Sequence, residues 1–238
     1  MLINMRNGLM AGGGLSAKSY VQDGLIAMWD GIENAGWGVH DPNATVWKDL
    51  MDSSRWYELN EYAEWGDSYI TKADHSYAGW VGRINNPIPR TTNYQKECVV
   101  LKHKTFGDRA VFWSVDPNDT ANKQNELCEL AVNTWALSGL PVSKPYINIA
   151  DEVVSISGYG TSSIYKNAVL STKMYDNNVS YGRGSLLGGN NAATGYKSKY
   201  GTDGNIYNIR IYSRALTADE IAHNYAVDKA RFGLPDAT

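Results

Sequence analysis

The chain has 238 residues, of which 43% are hydrophobic, so it is long enough for one large domain with a substantial core. Its formal net charge of −3 gives no basic excess, which argues against binding to nucleic acid or to an anionic membrane surface. No uninterrupted apolar run approaches the length of a membrane-spanning helix.

Residues 1–20 are predicted to form an arm. "AGGGLSAKS" (11–19) is a Gly/Ser connector, and the residues before it lack the continuous apolar stretch of a secretory signal. Such an arm has no core of its own, so a partner subunit is a natural surface to hold it. The arm residues expected to make these contacts are Met1, Leu2, Ile3, Met5, Arg6 and Leu9.

Short apolar segments separated by polar turns predict β-strands over most of the remaining chain. "GLIAMWD" (24–30) and "ATVWKDL" (44–50) are the first of these. Residues 128–139 fit either a helix or a pair of strands. Cys98 and Cys128 are too few for a disulfide framework, and both free thiols and a single bridge remain open.

The late strand "IYNIRIYS" alternates apolar and polar residues. Tyr207, Ile209 and Ile211 are predicted to share one buried face of a sheet. Asn208 and Arg210 are predicted to lie on the opposite face, which is typical of a sheet with one buried side.

A helix is predicted over residues 217–231. It begins with a capping box, in which Thr217 accepts from the amide of Glu220 while the Glu220 side chain bonds the Thr217 amide. Ile221 and Tyr225 then give a helical apolar stripe. Such a helix is expected to cover a sheet margin.

Two segments of the chain carry a resemblance to a known family. "GNIYNIRIYSRALTADEIAHNYAVDKARFGL" (204–234) resembles the closing segment of laminin-G-like, concanavalin-A-like lectin/glucanase domains, of the type common in gut bacteria and their phages. Residues 23–50 are similar to the opening segment of the same group, whereas residues 50–150 match poorly. Asn167-Ala168 stands where the family usually has an Asn-Gly turn.

The resemblance implies an all-β fold: a two-sheet antiparallel jelly-roll sandwich with a short C-terminal helix, preceded by the N-terminal arm. The domain would span residues 21–238. Since this architecture hosts lectins, glycosidases and structural modules, function has to be argued from the residues of a site.

Catalysis is not predicted. The E-x-D-x-x-E strand motif of the superfamily's retaining glycosidases is absent, and Glu58, Glu61, Glu64 and Asp67 mix the two faces of a strand. No Gly-x-Ser-x-Gly motif links a nucleophile to a base. The sequence therefore predicts a non-catalytic protein.

Residues 30–43 form a Gly-containing loop rich in oxygen ligands. Asp30, Glu33, Asn34 and Asp41 make calcium the candidate cofactor, since calcium takes carboxylate, amide and carbonyl oxygens from such loops. The alternative is a turn in which Asp and Asn side chains cap their own backbone.

Sugar binding would use aromatic rings as platforms and polar groups to fix hydroxyls. The loop "WVGRINNPIPR" is the first candidate, and Trp37 is a second platform. The loop residues are Trp80, Arg83, Asn85, Asn86 and Arg90.

These features favour an adhesive structural protein of a phage or prophage virion, such as a capsid decoration, head-fibre or tail accessory protein. It would be made in the cytoplasm without a signal peptide and act on the virion or another extracellular surface. Its partners would be other virion proteins or further copies of itself, reached through the arm, and surface glycans. A free bacterial carbohydrate-binding module is the alternative, and a glycosidase is a distant third.

Overall fold

A computed structural model describes residues 14–73, 81–86, 88, 95–103, 109–114, 126–131, 134–136, 152–159, 163–172, 185–187 and 203–236. Within these residues the chain forms fifteen β-strands in two antiparallel sheets, one α-helix and a 3-10 helix at Ala17–Ser19. The predicted all-β sandwich with a C-terminal helix is confirmed. The predicted arm contacts, Met1 to Leu9, lie outside the described residues.

The strands in chain order are β1 (Leu25–Asp30), β2 (Val46–Lys48), β3 (Trp56–Leu59), β4 (Ala63–Trp65), β5 (Ile70–Lys72), β6 (Gly82–Ile84), β7 (Gln95–Lys102), β8 (Arg109–Ser114), β9 (Glu126–Ala131), β10 (Thr134–Ala136), β11 (Val153–Tyr159), β12 (Ser163–Lys166), β13 (Val169–Thr172), β14 (Ser185–Leu186) and β15 (Gly204–Tyr212). The helix α1 spans Ala218–Phe232. In the described part, the first sheet has the order β13-β12-β11-β7-β15-β5-β4 with β1 also paired to β15, and the second sheet has the order β10-β9-β8-β14-β6-β3-β2. Of the two alternatives for residues 128–139, the strand pair is correct, because β9 and β10 pair as a hairpin.

The main core lies between the two sheets and is rich in aromatic residues. Trp29 of the first sheet meets Tyr57 of the second edge-to-face, with ring centroids 4.9 Å apart. Trp47 joins them and packs edge-to-face on Trp65. Cys98 is a buried free thiol in the same cluster.

Strand β15 is buried along its whole length, so the prediction of one buried side was wrong for this strand. Ile209 and Ile211 face the main core as predicted. Tyr207 does not share their face, because a register shift between Ile206 and Asn208 turns it toward α1. A bulge of this kind places an extra residue in one strand and reverses the alternation.

Helix α1 covers the second face of the first sheet. Its N-terminus has the predicted capping box between Thr217 and Glu220, and Gly233 ends it in the left-handed conformation with φ of 71°. Tyr225 packs with Tyr207 and Val99 in a smaller core on this side. A bilayer-spanning helix, which needs a long apolar stretch, is not found in the described part of the chain.

Residues 14–20, the end of the segment predicted as an arm, pack against the chain's own domain. Ala17 and Tyr20 are buried. The Tyr20 hydroxyl donates to Asp228 of α1 at 2.8 Å, and the Val21 amide donates to the side chain of Asn224 at 2.9 Å. This N-terminal segment therefore ties α1 to the sandwich.

The hairpin between β12 and β13 has a two-residue turn, Asn167-Ala168. Both residues have positive φ, 51° and 62°. This pair of dihedrals is typical of a type I′ turn, which favours Asn-Gly because alanine in the left-handed region is strained. Asn167 also accepts from the Ser155 amide through its side chain at 3.0 Å.

Ala168→Gly is therefore expected to raise the free energy of unfolding by about 1 kcal/mol, because glycine adopts this conformation without a Cβ penalty. Urea denaturation of the two proteins measures the change. Asn167→Gly is the matched control: it should give no gain, because it removes the bond to Ser155. Equal gains from both substitutions would contradict the explanation.

Asp49 is a buried carboxylate next to β2. It accepts from the amides of Met28 and Met51 and pairs with Arg55 at 2.7 Å. Burial raises the pKa of Asp49 to about 6, although the two amides and Arg55 act in the opposite direction.

The folded protein binds the Asp49 proton more tightly than the unfolded chain does. The free energy of unfolding should therefore fall as pH rises from the pKa of Asp49 in the unfolded chain to its pKa in the folded protein. The expected loss from Asp49 is about 3 kcal/mol between about pH 4 and 7. Asp49→Asn should flatten this part of the profile, while its amide oxygen still accepts from Met28 and Met51. Urea denaturation across this pH range, compared for both proteins, would contradict the assignment if the slopes were the same.

Candidate functional site

The candidate calcium residue Asp30 lies at the end of β1, fully buried. Its two oxygens accept from the guanidinium of Arg231 at 2.6 and 2.9 Å, and also from the amides of Ile32 and Glu33. Asn208 of β15 donates to it at 2.8 Å. Burial raises the pKa of Asp30, and Arg231 opposes that shift.

The other three candidate ligands also have partners within the protein. Glu33 accepts from Arg231 at 3.1 Å. Asn34 and Asp41 make a reciprocal pair in which the Asn34 amide group bonds the Asp41 backbone at 2.8 and 2.9 Å. No group of three metal-ligating side chains occurs in the described ranges. Calcium at these residues stays a prediction, and the ion would have to displace Arg231.

A second buried charge cluster lies between α1 and the first sheet. Arg210 of β15 donates to Asp228 of α1 at 2.5 and 2.8 Å and to Glu97 of β7 at 3.0 Å. Its guanidinium carbon lies 4.0 Å from the centroid of the Tyr20 ring. Burial raises the pKa of Glu97, against the effect of Arg210. These contacts join the N-terminal segment, α1 and two strands, so this cluster is structural.

The candidate sugar-binding residues fall at two places. Trp37 lies in the loop after β1, with the Lys18 ammonium 5.3 Å from its ring centroid. Arg83 belongs to β6 and Asn85 and Asn86 follow it, so these three lie at the second sheet. Two further candidates lie outside the described residues: Trp80 and Arg90.

Asn85 acts on the backbone of the neighbouring strand. Its side chain accepts from the amide of Trp56 at 2.7 Å and donates to the carbonyl of Ser54 at 3.1 Å. The side chain of Asn86 donates to the Ser54 hydroxyl at 3.2 Å. The predicted residues Asn85 and Asn86 therefore order the start of β3, and Trp56 is the residue that they position.

The outer face of the second sheet is polar around Trp56. Trp47, Tyr57 and Ile84 point into the main core, so alternation places their strand neighbours on the outer side. Those neighbours include half-buried Val46, Trp56 and Arg83 and exposed Lys48 and Glu58. We call Trp56, Arg83, Lys48 and Glu58, together with Asn85, the outer face.

A cross-strand row extends from the outer face. Glu58 is opposite Arg83, and Arg83 is opposite Ser185. The register continues from Ser185 to Ser114 and from Ser114 to Glu126. Since neighbouring strands are about 4.8 Å apart, the backbone positions of Glu58 and Glu126 are separated by about 19 Å.

No family model and no curated protein sequence matches the chain. Solved structures do resemble it. Trypanosoma rangeli sialidase in complex with sialic acid superposes with a TM-score of 0.56 at 13% identity, covering 87% of this chain and 33% of the sialidase. The ligand-binding domain of botulinum neurotoxin serotype D, in complex with N-acetylneuraminic acid, gives a TM-score of 0.55 at 12% identity, covering 86% of this chain and 51% of that domain.

The chain thus spans about one third of the sialidase and about half of the toxin domain. At these identities the likeness concerns the fold. Together with the two antiparallel sheets, it shows that the chain has a two-sheet antiparallel β-sandwich fold.

Proposed function

We propose that the chain is a non-catalytic, glycan-binding adhesive domain whose ligand lies on the outer face of the second sheet. The observation that carries this proposal is the half-buried indole of Trp56 among Lys48, Glu58 and Arg83. An aromatic ring with a few convergent donors and acceptors is the arrangement that fixes a sugar ring and its hydroxyls.

Side-chain hydrogen bonds hold the backbone around Trp56 in place. The Asn85 side chain bonds the backbone on both sides of residue 55, at Ser54 and Trp56. Arg55 in turn pairs with Asp52 and Asp49. A platform on a strand held in this way loses little conformational entropy when a ligand binds.

The sequence favours binding over hydrolysis. Glycosidases of the common two-carboxylate type need two acids that flank the scissile bond. The E-x-D-x-x-E strand motif, which supplies these acids in retaining enzymes of the superfamily that the chain resembles, is absent from its sequence.

The structural neighbours give support by analogy alone. Two of them carry sialic acid in their solved structures. Because one fold hosts many functions, these ligands make acidic sugars reasonable first probes and do not identify the ligand of this chain.

The test is a glycan array with the full chain, followed by titration of the best ligand into two variants. Trp56→Ala should weaken binding about tenfold or more, as for the central aromatic of an interface. Trp37→Ala should leave it unchanged. Loss in the Trp37 variant alone would place the site elsewhere, and an array without binding would remove the proposal.

In its finer form, the proposal places this domain on a phage or prophage virion. One observation favours it: residues 14–20 and α1 lie on the side of the first sheet, away from the outer face of the second sheet. A tether at the N-terminal side would present the outer face to the surroundings. Mass spectrometry of purified particles tests this role, and strong sugar binding without particle association would favour the free carbohydrate-binding module.

A further inference from the structure

Residues 15–18 and the loop 36–39 are held side by side by one carboxylate. Glu33 accepts from the backbone amide of Ala17 at 2.7 Å through one oxygen and from that of Gly38 at 2.8 Å through the other. The Lys18 ammonium lies 5.3 Å from the centroid of the Trp37 ring. The two segments therefore form one surface on a rigid support.

This surface is apolar and exposed. Leu15 is 48% exposed, Trp37 36% and Val39 50%, and we call these three residues the N-terminal patch. A short loop bridge between Gly36 and Val39 fixes the backbone beneath the last two. Because the Glu33 carboxylate holds the two backbone segments side by side, these exposed side chains lie on adjacent parts of the surface. Covering them would remove apolar area from water.

The chain itself supplies an apolar segment at this place. Residues 1–10, "MLINMRNGLM", contain six apolar residues and one charge, Arg6. They join the N-terminal patch through Ala11–Gly14, "AGGG", which ends directly before Leu15. Four residues span at most about 13 Å, so the segment stays close to the patch.

We propose that residues 1–10 dock on the N-terminal patch of the same molecule. A short glycine-rich tether gives the segment an effective concentration in the millimolar range at this surface, which favours intramolecular over intermolecular contact. Docking removes apolar area of both partners from water. This proposal differs from the prediction that the arm binds a neighbouring subunit, and it does not depend on glycan binding.

The experiment compares the full chain with a chain that lacks residues 1–10, using NMR spectra of both. The Trp37 indole N–H and the Val39 amide should shift on deletion, while Trp56 on the second sheet should not. The double substitution Ile3→Ser with Leu9→Ser should reproduce the shifts, and the matched polar pair Asn4→Ser with Asn7→Ser should leave them unchanged.

Light scattering of both chains tests whether residues 1–10 bind their own molecule or another copy. The proposal expects monomers before and after deletion. An oligomer that dissociates on deletion would overturn it, because the segment would then lie on another copy. Unchanged Trp37 and Val39 resonances would overturn it as well, because the patch would have a different occupant or none.

Discussion

Arg210→Met is expected to lower the free energy of unfolding by about 3–5 kcal/mol, the usual cost of breaking a buried ion pair from one side. Arg210 is fully buried and bonds both Asp228 and Glu97. Methionine fills much of the volume but leaves these carboxylates without their cation. Urea denaturation measures the loss directly.

Arg214→Met provides the matched control. Arg214 also bonds two carboxylates, Glu220 and Asp23, but its side chain is partly exposed to water. Such pairs contribute about 0–1 kcal/mol, so this variant should stay close to the parent protein. Similar losses in both variants would show that burial does not govern the cost at Arg210.

Tyr20→Ala is expected to cost about 3–5 kcal/mol, as large-to-small changes of buried aromatic residues do. The Tyr20 ring covers the Arg210 guanidinium, and its hydroxyl bonds Asp228. The substitution therefore opens a cavity between the N-terminal segment and α1. Thermal and urea unfolding of the full chain measure the effect.

Tyr20→Phe separates the ring from the hydroxyl. It keeps the packing and removes one hydrogen bond, at a cost of about 1–2 kcal/mol. Asp228 retains its bonds to Arg210 and Ser155 in this variant. If Tyr20→Ala were no worse than Tyr20→Phe, residues 14–20 would not belong to the cooperatively folding unit.

The local features of the fold were predictable. The capping box between Thr217 and Glu220 is contained in four consecutive residues, and the predicted helix, 217–231, lies one residue from the observed α1. The apolar face of Ile209 and Ile211 follows from alternation within one strand. Signals of this kind need no knowledge of the distant chain.

Non-local features were beyond sequence reasoning. The sequence predicts Arg210 on a polar face of the sheet. Arg210 does lie on the face opposite to that of Ile209, but α1 buries it there. The bulge that turns Tyr207 depends on the pairing of β15 with β7. The calcium prediction for Asp30 rests on its local loop, whereas its partner Arg231 stands 201 residues later in the chain.

The candidate sugar site shows the same division. The sequence predicts the sugar site at the loop after residue 80, and Arg83 of that loop lies on the outer face. Sugar binding there stays a prediction. Trp56 enters the proposed site only through the structure, because the Asn85 side chain positions its backbone across 29 residues of sequence. Trp56 lies beside this loop because β3 pairs with β6, and the sequence alone does not predict that pairing.

The pairing of β1 with β15 determines how the domain responds to mechanical load. Leu25, the first residue of β1, lies opposite Tyr212, the last residue of β15. Tension applied to both ends of the chain would first load the contacts of Tyr20 and Val21 with α1. Once these contacts are lost, it would separate β1 from β15 one hydrogen bond at a time, because the force enters both strands at the same end of the pair. A pull on one end that is resisted by a ligand on the second sheet does not pull β1 and β15 apart in this way. The proposed adhesive role therefore favours attachment through one terminus over attachment through both.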